Sequence, residues 1–352
     1  VPAGRSAVLA YTTPLWVAPV AALFLGEGMR RGRVFGLRRV LGLAAGVWVA
    51  RELLARWRQD DLAGQVVLVT GGSRGLGFAI GQAFARAGAT VVLAARSQAA
   101  VEQAAQELTL QGYRAAGFAV DVSRREQVDA LAEGAVRTFG KLDVWVNNAG
   151  TAGPYGPTID TAPAAFEQVV NTNILGTYYG SRAALRVFLE GGSGKLINLL
   201  GRGWKSPTPW QNAYSASKAW VRSFTLALAQ ETKQSGAGGA GNLIGVFAFN
   251  PGMVLTELLT DVEVIEGHED RLKQFPAVVR MWAKPPAVPA AKAVWIASAA
   301  TDGKTGEIYN IMGTGTMIGG ALREGMRGLL GKRGAKTDDE ADIKIHTIAA
   351  QR

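Results

Sequence analysis

Tyr214 and Lys218 stand four residues apart in the run Tyr214-Ser-Ala-Ser-Lys218. On a helix, positions i and i+4 share a face, so the Lys218 ammonium can lie beside the Tyr214 phenol. A nearby positive charge favours phenolate and lowers a tyrosine pKa from about 10 toward working pH. That shift would make Tyr214 an acid/base group for a carbonyl or an alcohol. The same spacing also falls on exposed helices with no such role. The pair therefore has to be judged by the elements that hold it.

From Leu62 onward, short β-rich runs alternate with helical stretches, as in a parallel sheet covered on both faces. The pattern predicts strands over Val66–Thr70, Thr90–Ala95, Arg114–Val120, Leu142–Val146, Lys195–Leu199, Ile244–Phe249 and Glu307–Ile311. Helices are expected over Leu76–Ala87, Ala99–Gln111, Arg124–Phe139, Phe166–Leu189 and Tyr214–Thr232. The fold class is thus α/β, a doubly wound parallel seven-stranded sheet (a Rossmann fold). The segment Gln234–Gly241 reads as a flexible loop on composition.

Directly after the first strand comes Thr70-Gly-Gly-Ser-Arg-Gly-Leu-Gly77. Gly71, Gly75 and Gly77 let the backbone turn tightly and approach a pyrophosphate at the amino end of the next helix, with Ser73, Arg74 and Leu76 between them. An NAD-preferring site usually carries an acid at the end of the second strand to hold the ribose 2′-hydroxyl. Here Ala95 and Arg96 take its place, followed by Ser97, and Arg74 sits within the glycine loop. Two guanidiniums with no opposing carboxylate suit a 2′-phosphate, so the expected cofactor is NADP(H).

With these pieces in place, residues 62 to about 315 resemble the short-chain dehydrogenase/reductase family. The resemblance runs in order through TGGSRGLG, Asp121-Val122 after the third strand, Asn147-Asn-Ala-Gly150 after the fourth, Asn173 in Asn-Ile-Leu-Gly176, YSASK, and Asn250-Pro-Gly-Met-Val-Leu-Thr256. It implies that Asp121 and Val122 contact adenine, and that Asn148, Ala149 and Gly150 border the cofactor. It further implies that Pro251, Gly252, Met253, Val254 and Thr256 close over nicotinamide. The implied reaction is pro-S hydride transfer between nicotinamide C4 and a carbonyl carbon, with Tyr214 as acid/base. Lys218 would hold the nicotinamide ribose and lower the Tyr214 pKa, and Asn173 would complete a proton path to solvent.

One family residue is missing. The catalytic serine normally stands about thirteen residues before the tyrosine, where this chain has Gly201. Losing one such donor typically costs about a hundredfold or more. Ser206, a water or a backbone N–H are the candidate substitutes, and Ser206 also reads as a solvated loop serine before Pro207. The stretch SPTPWQNAYSASK and the later NPGMVLTELL resemble the chlorophyll(ide) b reductases, which lack the same serine and act on a large membrane-associated substrate. The segment Thr260–Lys284 is where the family builds a substrate lid, and Leu259, Ile265, Phe275, Val278, Met281 and Trp282 suit an apolar carbonyl or alcohol, although they also suit ordinary packing. The resemblance implies a homodimer or homotetramer. The opposing reading is a nucleotide-binding scaffold or sensor that kept the cofactor site and lost the serine.

The first sixty residues differ from the rest, with nine arginines against three acids. Val8 to Leu25 is an uncharged apolar run broken by Pro14 and Pro19, and Met29-Arg-Arg-Gly-Arg33 follows it on the side expected to face the cytoplasm. Val40 to Trp57 reads as an interfacial amphipathic helix or as a hydrophobic arm on a neighbouring subunit. Residues 5–27 resemble one transmembrane segment of drug/metabolite transporter permeases. Since the chain opens on Val1, that stretch reads as a fusion remnant, a mis-start or part of an incomplete sequence. The expected organisation is a membrane-associated segment (1–60), a catalytic domain (61–318, lid about 253–285) on the cytoplasmic side, and a basic tail (319–352). A formal charge of +10 gathered beside apolar segments points to membrane lipid rather than nucleic acid. The chain has no cysteine, which excludes thiolate chemistry, and its two histidines lack ligand spacing, so no metal is expected.

Overall fold

The computed structural model describes residues 62–234, 243–313, 319 and 342–351. The N-terminal segment, its permease-like stretch, most of the Gln234–Gly241 loop and the basic cluster of the tail lie outside the described residues. Among the described residues, no helix is long and apolar enough to cross a membrane.

Seven strands form the main sheet: β1 (Val66–Thr70), β2 (Thr90–Ala95), β3 (Ala115–Ala119), β4 (Val144–Asn147), β5 (Ser193–Leu199), β6 (Leu243–Asn250) and β8 (Ile308–Asn310). Their order is β3-β2-β1-β4-β5-β6-β8, and every neighbouring pair is parallel. Among the described residues the α-helices are α1 (Gly75–Arg86), α2 (Gln98–Leu110), α3 (Arg125–Phe139), α4 (Pro163–Val169), α5 (Gly176–Gly191), α6 (Asn212–Gln234), a short α7 (Glu257–Thr260), α8 (Phe275–Trp282) and α9 (Ala287–Ala297). Alternation along β1 sends Val67 and Val69 into one buried layer with Ile80, Phe84 and Phe247, and Val66 and Leu68 into the other with Leu131, Trp145 and Phe188. Both faces of β1 are therefore buried, which explains its unbroken apolar sequence.

Strand order reverses between β1 and β4, and ligands of such sheets bind in the crevice at that point. The seven strands match the expectation from sequence to within two residues at their ends.

Two elements differ from expectation. The single helix expected over Phe166–Leu189 is α4, a π-helical stretch (Val170–Leu175) and α5. Within the π stretch, Asn173 bonds outward to Thr151 and Ser217, drawing the wider turn toward the site. In addition, the expected lid contains β7 (Asp261–Ile265), which pairs in parallel with β9 (Lys344–Ile348) from the tail. An isolated bridge joins Tyr155 to Val264 on β7, and the Glu266 N–H donates to Ile348 O. Ile265 is buried and fills the space left by the missing side chain of Gly156, so it packs the lid rather than facing a substrate.

Candidate active site

The turn after β1 is built by glycines with separate reasons to be glycine. Gly71 and Gly75 have φ of +66° and +57°, a region that L side chains rarely adopt. A Cβ on Gly77 would run into the Gly71 carbonyl oxygen, so the amino end of α1 can come this close only without one. The result is a shallow cradle of backbone at a helix N-terminus, a shape and polarity that fit a pyrophosphate. Asn148 holds the cradle against β4: its side-chain amide donates to Thr70 O at 2.9 Å, and the Thr70 hydroxyl oxygen accepts from the Asn148 and Ala149 N–H groups, both at 3.1 Å.

Across the crevice, the segment from Pro251 to Thr256 stands over the glycine loop. A Cβ on Gly75 would lie 3.4 Å from Thr256. Gly252, at φ +73°, makes the turn, and the Lys284 N–H donates to Met253 O at 2.9 Å while Val254 is buried.

The cationic end is less open than the sequence suggests. Arg74 pairs with Glu257 at the start of α7, a carboxylate only six residues beyond Pro251. Arg96 is exposed, and its charge reaches Asp121. Burial opposes the Asp121 charge, yet hydrogen bonds from the Ser123 hydroxyl and N–H, with the Arg96 and Arg124 guanidiniums, hold its carboxyl below the ordinary value. The expectation of guanidiniums without an opposing carboxylate is thus corrected, because chain segments distant in sequence meet here. Ser97 caps α2, accepting from the Ala100 N–H at 3.3 Å, and Val122 packs on Gly176.

Tyr214 and Lys218 share one face of α6, with the Lys218 Nζ 5.6 Å from the centre of the Tyr214 ring. The ammonium donates to Leu199 O at 3.0 Å, at the end of β5, and lies near Gly150. Burial lowers the Lys218 pKa to about 8. Tyr214 as a whole is only partly buried, but its hydroxyl rests against the buried Gly201, and burial pushes the phenol up to about 12. The sequence expectation was a lowered tyrosine pKa. In this structure desolvation of the phenolate dominates, since removing charge from water costs more than one partly screened neighbour returns.

Asn173 is fully buried and ties the two sides of the site together. Its side chain accepts from the Thr151 N–H at 2.9 Å, and donates to Thr151 O and to the Ser217 hydroxyl, both at 3.0 Å. Ser217 in turn donates to Tyr214 O at 2.7 Å. Sequence reasoning did not single out Thr151 or Ser217. Ser217 lies inside the YSASK run, but its bond to Asn173 spans 44 residues.

Ser206 is exposed on the turn after β5. That turn is closed by the Trp204 N–H donating to Gly201 O at 3.2 Å. Further along, Trp210 adopts φ +70°, which a bulky residue rarely does, and the Arg271 guanidinium lies over its indole, 3.8 Å from the ring centre. A small cleft lined by apolar side chains such as Phe166, Val169 and Trp210 and by polar ones, Thr158, Thr161, Gln211 and Asn212, reaches Ala213, the residue before Tyr214 in the chain.

The family model for short chain dehydrogenases matches residues 65–265. A 3-ketoacyl-(acyl-carrier-protein) reductase from Brucella melitensis, solved with NADH, is 32% identical, superposes with a TM-score of 0.63, and covers 72% of this chain and 99% of its own. A Beutenbergia cavernae protein described as an NAD(P)-dependent gluconate 5-dehydrogenase, solved with NADP at low occupancy, is 29% identical at a TM-score of 0.62 and covers 72% of this chain and 96% of its own. A chloroplastic protein of Arabidopsis thaliana, named a probable chlorophyll(ide) b reductase, is 31% identical over 212 residues, 55% of this chain and 41% of that protein. The family model does not reach residues 5–27, where the permease resemblance lies. The cradle and its relatives agree on an NAD(P) cofactor.

Proposed function

Because the chain belongs to the short chain dehydrogenase family, we propose that it is an NADP(H)-dependent reductase of an apolar carbonyl compound, with Tyr214 as the acid. The observation that carries this reading is the enclosure of the Tyr214 hydroxyl and the Lys218 ammonium on one helical face, with Lys218 near Gly150 in the run that follows β4. A bound dihydronicotinamide supplies the hydride. The Tyr214 O–H donates to the substrate oxygen and gives up its proton as that oxygen becomes an alkoxide. The Lys218 ammonium holds the resulting phenolate, and Asn173 keeps the helix in register with the Thr151 loop. A phenol held at about 12 is protonated at neutral pH, the correct state for reduction and the wrong one for alcohol oxidation.

NADP(H) is favoured over NAD(H) by Ala95 and the exposed Arg96 at the end of β2. The Arg74–Glu257 pair does not oppose this, because both side chains are largely exposed and such pairs are easily exchanged for a phosphate. An apolar substrate is supported by the partly buried Leu259, Phe275, Val278, Met281 and Trp282 of the lid. Attachment to a membrane through residues 1–60, with the catalytic domain on the cytoplasmic side, and self-association through α5 and α6 belong to the same proposal. Tyr178 and Leu189, exposed on α5, provide apolar surface for the second.

The test is NADPH oxidation by the full chain with a panel of aldehydes and ketones, repeated with Tyr214→Phe. Turnover by the native chain, abolished in the variant at an NADPH Kd within about threefold, supports the reading. Retained turnover in the variant refutes the role of Tyr214. The hydroxyl-free Gly201 favours a second reading, a nucleotide-binding scaffold, for which NADPH binds and no carbonyl is reduced.

A further inference from the structure

Gly201 stands where the family carries its serine, and the structure shows what occupies that serine's space. A Cβ built on Gly201 would overlap the Tyr214 hydroxyl oxygen and lie 3.1 Å from the ring carbon that bears it. Gly201 itself is buried and has no positive φ, so its backbone conformation is one that any residue could adopt. The side chain of Tyr214, not the backbone, is what excludes a larger residue.

The backbone is fixed on both sides, so the Tyr214 side chain is the part that would yield. The backbone before Gly201 is held by the Leu200 N–H donating to Phe249 O at 2.7 Å and by Lys218 on Leu199 O. After it, the turn closes through Trp204 on Gly201 O. The helical backbone of Tyr214 is held by Ser217, which Asn173 anchors in turn. A side chain at 201 could be accommodated only by swinging the Tyr214 ring off its seat.

We propose that Gly201 is a positioning residue: its lack of a Cβ lets the Tyr214 hydroxyl take the serine's place, so one oxygen both polarises the substrate carbonyl and protonates it. This deepens, and rests on, the reading of Tyr214 as the acid. It turns the missing serine from a defect into a requirement. Restoring the family residue would then harm the enzyme, because the added atoms displace the group that replaced them.

The experiment is a double-mutant cycle in the full chain with Gly201→Ala, Tyr214→Phe and the double variant, together with Gly201→Ser. Three quantities are read: thermal midpoint, NADPH Kd and kcat on the carbonyl panel. G201A is expected to lower the midpoint by about 4 °C alone, the usual scale of overpacking in a domain of this size. In the Y214F background, where the overlapping oxygen is gone, the loss should fall to less than half. Phe leaves the ring carbon in tight contact, so relief is partial. G201S should lose at least tenfold in kcat with its NADPH Kd unmoved. Equal midpoint losses in the two backgrounds would overturn the proposal, and so would a kcat for G201S above that of the native chain. If the midpoints show the relief while the native chain reduces nothing on the panel, carbonyl reduction falls and the seating of Tyr214 on Gly201 stands. Additive midpoints with normal turnover give the reverse.

Discussion

Lys218→Met isolates the cost of burying a charge at the centre of this site. Burial holds the Lys218 ammonium at about 8, against an ordinary 10.5. At pH 7 the group is charged in both the folded and the unfolded chain, and the folded state carries the desolvation penalty of that shift, about 3 kcal/mol at roughly 1.4 kcal/mol per pH unit. As pH rises through 8 the folded protein releases the proton, while the unfolded chain keeps it until about 10.5. Between those values the unfolded state binds more protons, so stability rises with pH. At pH 9.5 the remaining penalty is about 1.4 kcal/mol. The native chain should therefore gain about 2 kcal/mol on the Met variant between pH 7 and pH 9.5. The hydrogen bond to Leu199 O does not confuse the comparison, since a neutral amine still donates it. Urea titrations of both proteins without cofactor, followed by tryptophan fluorescence, measure the difference at each pH. Stability curves that stay parallel to within about 0.5 kcal/mol would refute the buried, easily discharged lysine.

Arg96→Asp should lower the ratio of NADPH to NADH efficiency by about tenfold to a hundredfold, the worth of one charge-assisted contact to a phosphate. An unchanged ratio in steady-state kinetics would remove Arg96 from the cofactor site. Ser206→Ala should leave kcat within about twofold, because the side chain is exposed on its turn. A loss of tenfold or more would instead assign Ser206 the role of the missing serine.

The nucleotide crevice was legible before any coordinates because its requirements are local. A glycine turn between a strand and a helix depends on φ values and on the first turn of that helix. TGGSRGLG carries this in eight residues. The same holds for the strands, whose apolar runs report burial on both faces, and for Tyr214 and Lys218, whose spacing alone puts them side by side. Asn173 was legible through resemblance, but not the π turn that turns its side chain toward Thr151.

Contacts between distant segments were not legible. Nothing near Arg74 announces Glu257, and nothing in Lys344–Ile348 announces a partner strand eighty residues earlier. Five residues of modest alternation do not specify a partner, because pairing is decided by which edge the folded lid leaves open.

The sequence by itself determined which groups could do chemistry here: a pyrophosphate cradle, a phenol, an ammonium, and a glycine at position 201 where a serine was expected. Tertiary structure decided their protonation and their places. A neighbouring charge argues for a lowered phenol, but burial raises it, and burial is a property of everything packed around α6. Gly201 in the sequence is an absent hydroxyl. In the structure it is the space occupied by another one, because only the folded chain brings β5 and α6 close enough for Tyr214 to fill it.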